Sequence, residues 1–450
     1  MMNSSFPYRT PPTLPLHRVI VRPSFFASLV PRSIYDWCII GIAFSSAYLL
    51  ISAAYGGVLD FIIASPLRVP FMGATRSIGV VWPLIALWMV ALHLESKIRD
   101  PASISPQARA IATKLPLLRV AALAFALLLI VQMRSGDPAI REMYLASLVS
   151  FGGIQALFLF CLSPTRHLNW FCCAVALVAA ALAVWFVVFD VSPLNLSMVS
   201  ELKGRFMAEA NPITVANGLF IGAFACLLLG YEMWNWRVLV GAVWFGAVGI
   251  FLALNGVLTG SRGPTISFAV IIACFYALRT RNTFKTLLKV LLALGVIWYG
   301  ISLVRHRSEI ISDRFTPGVL YESRIGNYRA ALASSPTLFG RGAGRFSKNL
   351  VNDAPGEYTY IHNCTLEAYY EHGLVGLALY LFVLIGCLRV LLARYRQIPC
   401  MGTMFLFCLV MFHAVESQFS GNLYSWSIVW SLTAACLLPT FRAKALPATW

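Results

Sequence analysis

Two histidines, two glutamates and an asparagine crowd one stretch of the chain, "YIHNCTLEAYYEHGLVGLALYLF", residues 360–382, whose second half is apolar enough to cross a bilayer. Burying any of these groups in hydrocarbon costs several kcal/mol, so their position at the threshold calls for a chemical reason. At helical spacing Asn363, Glu367 and Glu371 share one stripe, and His362, Tyr369 and Gly373 a neighbouring one. An imidazole that titrates near neutrality can take a proton from a hydroxyl, which makes His362 a candidate base. Asn363 can orient the ring or a substrate, and Glu367 or Glu371 can hold the second ring nitrogen or act as the base. The plainer alternative makes His362 a backbone-bonded residue at a helix start and His372 a packed one. No metal is expected: H-E-x-x-H does not occur, and Ala368 stands where the reversed motif needs a histidine.

Three further clusters supply cations. "ELKGRFMAEANPITVANG" carries Arg205 ahead of the Asn211-Pro212 turn, and "TGSRGPT" puts Arg262 in a tight turn between two apolar segments. A charge in so short a connection needs a partner close by. In "YESRIGNYRAALASSPTLFGRGAGRF" the first half has helical spacing, with Arg324 and Tyr328 four apart on one face, and "SSP" ends it. The second half alternates glycines with Arg341 and Arg345, a backbone expected to bend freely and to expose N–H groups. Guanidinium groups bind phosphate oxygens bidentately and keep their charge. Convergence of Arg205, Arg262 and Arg324 would make a pocket for a diphosphate, with Arg341 and Arg345 as weaker contributors. A solvated basic loop is the alternative for the third cluster taken alone. "GRGAG" is neither a Walker loop nor a dinucleotide fingerprint.

The elements that must position these groups are membrane helices. Of 450 residues 59% are hydrophobic and 12% charged, and the mean hydropathy is +0.75. Soluble domains carry about twice that charged share. Apolar segments long enough to cross a bilayer fall near 36–56, 77–94, 115–133, 143–163, 168–190, 213–231, 237–259, 264–280, 285–304, 373–393, 399–417 and 421–441. The expected class is therefore all-α, a polytopic integral membrane protein with about 12 transmembrane helices. The net charge of +17 reports topology and not nucleic-acid binding. With the N-terminus inside, the inner loops gather Lys97, Arg99, Arg109, Lys114, Arg279, Arg281, Lys285, Lys289, Arg389, Arg394 and Arg396, while the short outer loops are poor in Lys and Arg. All four clusters then lie on the outer side. The 11 cysteines fall mostly in apolar runs, with no C-x-x-C pair, and read as small packed hydrophobes.

This topology divides the chain into an inner tail (1–35), nine spans (36–304), a large outer loop with the reactive helix start (305–372), three spans (373–441) and a second inner tail (442–450). The loop between spans 9 and 10 is the longest connection, and long ordered loops are commonly functional.

Taken in order, "R…NP", "SRG", "R-x-x-x-Y…P…G-x-G" and "HN…G" resemble the O-antigen ligase/polymerase superfamily of bacterial cell envelopes, over roughly Arg205 to Gly376. Ile213 stands where the family often has a second asparagine, and Tyr328 where tryptophan is common; neither change removes a charge. The resemblance implies a metal-independent glycosyltransferase of the inner membrane, without cofactor and with its active face and large loop in the periplasm. Its donor would be an undecaprenyl-diphosphate-linked glycan. Its acceptor would be lipid A–core in a ligase or a carrier-linked repeat unit in a polymerase, with polymerase favoured and other polysaccharide-assembly proteins as companions. Two further readings stay open on sequence: a transporter or glycan-lipid flippase of about 12 spans, and a non-catalytic subunit of an export complex.

Overall fold

The computed structural model describes residues 115–133, 165–188, 212–279, 321–346, 361–397 and 399–419, with isolated positions between 29 and 51 and at 295 and 423. Among the described residues the structure is helical, without strands. The helices are α1 (Leu115–Met133), α2 (Thr165–Val188), α3 (Pro212–Asn235), α4 (Leu239–Leu258), α5 (Arg262–Arg279), α6 (Tyr321–Ala333), α7 (Cys364–Gln397) and α8 (Met401–Glu416). Stretches of α2, α3, α4 and α7 are long and apolar enough to cross a membrane. The segments expected at 115–133, 168–190, 213–231, 237–259, 264–280, 373–393 and 399–417 each coincide with a helix. Those at 77–94, 143–163, 285–304 and 421–441 and much of 36–56 lie outside the described residues, as do both tails.

α8 forms the centre. Every side chain from Met401 to Val410 is buried, because α2, α3, α5 and α7 pack around it. Aromatic rings fill the interior: Phe405 meets Phe171 of α2 at 5.7 Å and Phe224 of α3 at 6.3 Å, and Phe220 of α3 stacks on Phe268 of α5 at 4.8 Å. The start of α8 is tied down from α2, where Asn169 Oδ1 accepts the Gly402 N–H at 2.8 Å. α3 and α4 form an antiparallel hairpin whose backbones approach closely; a Cβ at Gly249 would lie 2.7 Å from Leu227 Cγ. α1 lies against α7, with Phe125 6.1 Å from the Tyr380 ring.

The outward faces are apolar. On α1, Leu117, Val120, Leu123, Leu127 and Val131 are exposed at helical spacing, and on α4 Val240, Val243, Trp244, Ile250 and Leu254 are. Faces of this kind are what lipid tails require and what water penalises. The protein is membrane-embedded.

At one end of the bundle the starts of α5 and α7 meet the end of α8. Gly263 abuts Phe419 and Glu416, and the Cys364 N–H donates to Ser417 O at 2.9 Å. At the other end Arg279 pairs with Glu232 and lies over the Tyr231 ring at 4.4 Å. The first end carries the candidate chemistry.

Candidate active site at the shared helix ends

α5 starts where the chain reverses. Thr259 Oγ1 donates to Gly256 O at 2.7 Å and receives the Ser261 N–H at 3.3 Å, which fixes the turn that presents Arg262 as the first helical residue. Arg262 is partly buried, and burial together with the Arg324 charge draws its pKa below the ordinary guanidinium value. Gly263, next in sequence, abuts Phe419, whose carbonyl also receives Arg324, so the start of α5 and the α6 cation meet at the same residue. Arg324 comes from α6, the helix expected from its spacing. Its Nη1 donates to Phe419 O at 2.9 Å, and one turn later the Tyr328 hydroxyl reaches Gln418 O at 3.4 Å and His362 O at 3.5 Å. The predicted i,i+4 pair thus lands on one target, the carbonyls that follow α8.

His362 precedes α7 with φ of +61°, a left-handed backbone unusual for any residue but glycine. Such strain persists only where the surroundings enforce it, and it clusters at functional positions. The enforcement comes from Asn363: its Oδ1 accepts the Leu366 N–H at 2.9 Å as the cap of α7, and its Nδ2 donates to Gln418 O at 3.2 Å. Thr365 Oγ1 adds a 2.7 Å bond to Gln418 Oε1. Burial and then the Arg324 charge push the His362 imidazole down to about 4. At neutral pH the ring is therefore uncharged, the form a base requires. Tyr328 shifts the other way, raised by burial against the pull of Arg324.

The glycine-rich loop does something other than the sequence suggests. α7 is broken at Gly373, which has φ +71° and ψ −166°. The loop fills the break: Leu374 and Val375 N–H groups donate to Thr337 O and Leu338 O at 3.0 and 3.1 Å, while Tyr370 O and Glu371 O accept from Arg341 and Gly342 N–H at 3.2 and 3.0 Å. These are the groups that a continuous helix would have paired with one another. The expectation that the loop exposes N–H groups for an anion is therefore corrected: those of Arg341, Gly342 and Gly344 are spent on α7. The Arg341 guanidinium sits 5.2 Å over the Tyr370 ring and is exposed; Arg345 is partly buried.

Glu371 and Glu367 are buried and each holds a distant strand of backbone. Glu371 Oε1 accepts the Gly344 N–H at 2.8 Å, and Glu367 Oε2 the Leu423 N–H at 2.9 Å. Their remaining oxygens, Glu371 Oε2 and Glu367 Oε1, are buried and find no close hydrogen-bond partner among the described residues. His372 is buried edge-on to Phe125, with ring centroids 6.4 Å apart. Arg205 and Asn211 lie outside the described residues.

The site thus brings Arg262, Arg324, Tyr328, His362 and Asn363 to one helix-end junction, with Glu367 and Glu371 behind it as anchors. What sequence reasoning missed is the acceptor platform, Glu416 to Phe419. It works through the backbone carbonyls of Ser417, Gln418 and Phe419, which leave no residue signature.

No curated protein and no solved structure matches the chain. Residues 247–381 match the family model described as O-antigen ligase; the match takes in every candidate site residue except Arg205. The stretch that carries α5, α6 and the head of α7 is thus similar to the O-antigen ligase family, in keeping with the resemblance drawn from the sequence.

Proposed function

We propose that the protein is a glycosyltransferase of the inner membrane that moves a glycan from a polyprenyl diphosphate carrier to an acceptor sugar hydroxyl at the periplasmic face, with both termini cytoplasmic. Support comes from one relationship above all: Arg324 and, one turn on, Tyr328 reach Phe419 O, Gln418 O and His362 O, and Gly263 beside Arg262 abuts the same Phe419, so the arginines and the histidine are carried to one junction. Arg262 and Arg324, joined by Arg205, hold the diphosphate and stabilise the charge that grows on it as the glycosidic carbon leaves. No metal is needed where guanidinium groups meet that charge. His362 accepts the acceptor hydroxyl proton as the new bond to the anomeric carbon forms and the carbon–oxygen bond to the diphosphate breaks. Asn363 holds the histidine backbone in its strained setting. Phosphate oxygens beside Arg324 offset the cation that depresses the imidazole, so donor binding makes His362 a stronger base when it is required.

The polymerase form, extending a carrier-linked repeat unit, is the preferred version, and lipid A–core ligation is the other. Purified protein in nanodiscs, supplied with polyprenyl-diphosphate-linked glycan and either acceptor, tests this directly. Transfer to repeat units that falls at least about 100-fold in Arg262→Ala and His362→Ala is expected. Transfer that survives either substitution retires that residue's role.

A further inference from the structure

The loop between α6 and α7 turns two large apolar side chains outward. Leu338 and Phe339 are 58% and 56% exposed, and the foregoing chemistry uses neither. Their place follows from the α7 break. Backbone N–H groups at a helix start point along its axis, and here Thr337 O and Leu338 O accept those of Leu374 and Val375 at 3.0 and 3.1 Å. The loop therefore lies just beyond Leu374, at the site's end of the bundle. From there Leu374, Ala378, Phe382 and Ile385 are exposed at helical spacing, the stripe that α7 presents to lipid.

That stripe is short. It ends at the exposed Arg389, fifteen positions from Leu374 and so about 22 Å along the axis. A hydrocarbon layer is about 30 Å thick, and Leu338 and Phe339 extend the apolar surface at the end where α7 alone falls short of it. The backbone suits such a place, because the Thr337 and Leu338 carbonyls are spent on α7 and are not carried unpaired towards hydrocarbon. Two residues after Phe339, the exposed Arg341 guanidinium lies 5.2 Å over the Tyr370 ring, and the stretch 338–346 contains no acid that could neutralise it.

We propose that the α6–α7 loop is a membrane-seated lip: Leu338 and Phe339 enter the leaflet at the site's end of the bundle, and Arg341 binds the phosphate of a bilayer phospholipid there. Continuity with the α7 stripe and the charge of Arg341 both favour this occupant. A phosphodiester meets the guanidinium where the acyl tails below it meet Leu338, Phe339 and Leu374. The lip sets the height of α6, and with it Arg324, against the membrane, whatever the donor is.

Fluorescence quenching in the full-length protein tests this. Phe339→Cys is labelled with a nitrobenzoxadiazole thiol probe and placed in phosphatidylcholine liposomes that contain no polyprenyl lipid; wild type treated alike gives the background of its own cysteines. Phosphatidylcholine spin-labelled near the head of its acyl chain is expected to quench the probe about as strongly as one at Phe382→Cys on the lipid-facing stripe, and aqueous iodide to leave it largely unquenched. Spin-labelled diacylglycerol, with the same tails and no phosphate, is expected to quench at least about twofold less, and Arg341→Gln to remove that difference. Both lip positions are exposed, so the core is spared, and Leu338→Cys gives the same reading should Phe339→Cys fail to fold. Quenching by iodide and not by lipid places the loop in water, and quenching by neither places it under another protein surface, such as a second copy of the chain. Equal quenching by the two spin-labelled lipids removes the headgroup site. Each of these three results overturns the proposal.

Discussion

Gly340 and Gly373 stand where the loop and the α7 backbone meet without room for a side chain: a Cβ on Gly340 would lie 2.1 Å from Glu371 O, and one on Gly373 2.4 Å from Gly340 N. Both have positive φ, at +82° and +71°. The loop from α6 enters the α7 break only because neither residue carries a side chain. Alanine at either position meets a backbone overlap and a left-handed strain of about 1–2 kcal/mol. Gly340→Ala or Gly373→Ala is therefore expected to lower the thermal unfolding midpoint in detergent and to abolish transfer. Gly246→Ala, in α4 with nothing within 4 Å of the added Cβ, is expected to be neutral or stabilising by up to about 1 kcal/mol.

The pH profile carries the signature of His362. A base works unprotonated, so its rate contribution falls as pH drops through its pKa, and here burial and Arg324 hold that value near 4, below the ordinary 6.5. The acid limb of kcat/KM, which reports the free enzyme, is expected well below pH 6. Replacing Arg324 with glutamine removes one of the two causes, favours the imidazolium and moves the limb upward, though burial keeps it below the ordinary value. A limb at or above 6.5 in wild type would mean that another group titrates.

Glu371 distinguishes an anchor from a base. Gln retains an acceptor for the Gly344 N–H, while alanine leaves that buried donor unmet at a cost of about 1–3 kcal/mol. Glu371→Gln is expected to keep transfer within about tenfold of wild type, and Glu371→Ala to lose stability first. A loss in Glu371→Gln as deep as that in His362→Ala, with folding intact, would move the base to Glu371.

At the far end of the bundle Arg279 and Glu232 offer the opposite case, a pair with structural work alone. Arg279→Ala strands a partly buried carboxylate and is expected to destabilise by roughly 1–3 kcal/mol. Unfolding in detergent should register that loss, while the KM for donor stays put because the residue lies away from the site.

Much of this architecture is written in hydropathy. Six described helices follow apolar segments to within a few residues, and α7 starts nine residues ahead of its segment; crossing a bilayer leaves a run of about 20 such residues. α6 followed from spacing, and so did the partnership of Arg324 with Tyr328. The break in α7 did not: Gly373 reads as the start of a span, and the four hydrogen bonds that fill the gap join residues 29 or 37 positions apart. For the same reason "GRGAG" suggests a freely bending backbone with exposed N–H groups, whereas its glycines serve close approach. The sequence offers Asn363 as a group that orients a ring or a sugar; the structure adds that it caps α7 and holds Gln418, which the sequence does not show. The platform after α8 was invisible because carbonyl oxygens belong to every residue alike.

The central claim is that Arg324 and His362 act in one pocket, and a double-mutant cycle on single-turnover glycan transfer measures it most directly. Arg324→Ala, His362→Ala and the double variant are compared in nanodiscs with saturating acceptor. Groups that share a site couple by about 0.5–3 kcal/mol, so the double variant is expected to lose markedly less than the sum of the single losses. Losses that add to within about 0.5 kcal/mol would place the guanidinium and the imidazole in separate tasks and contradict the account.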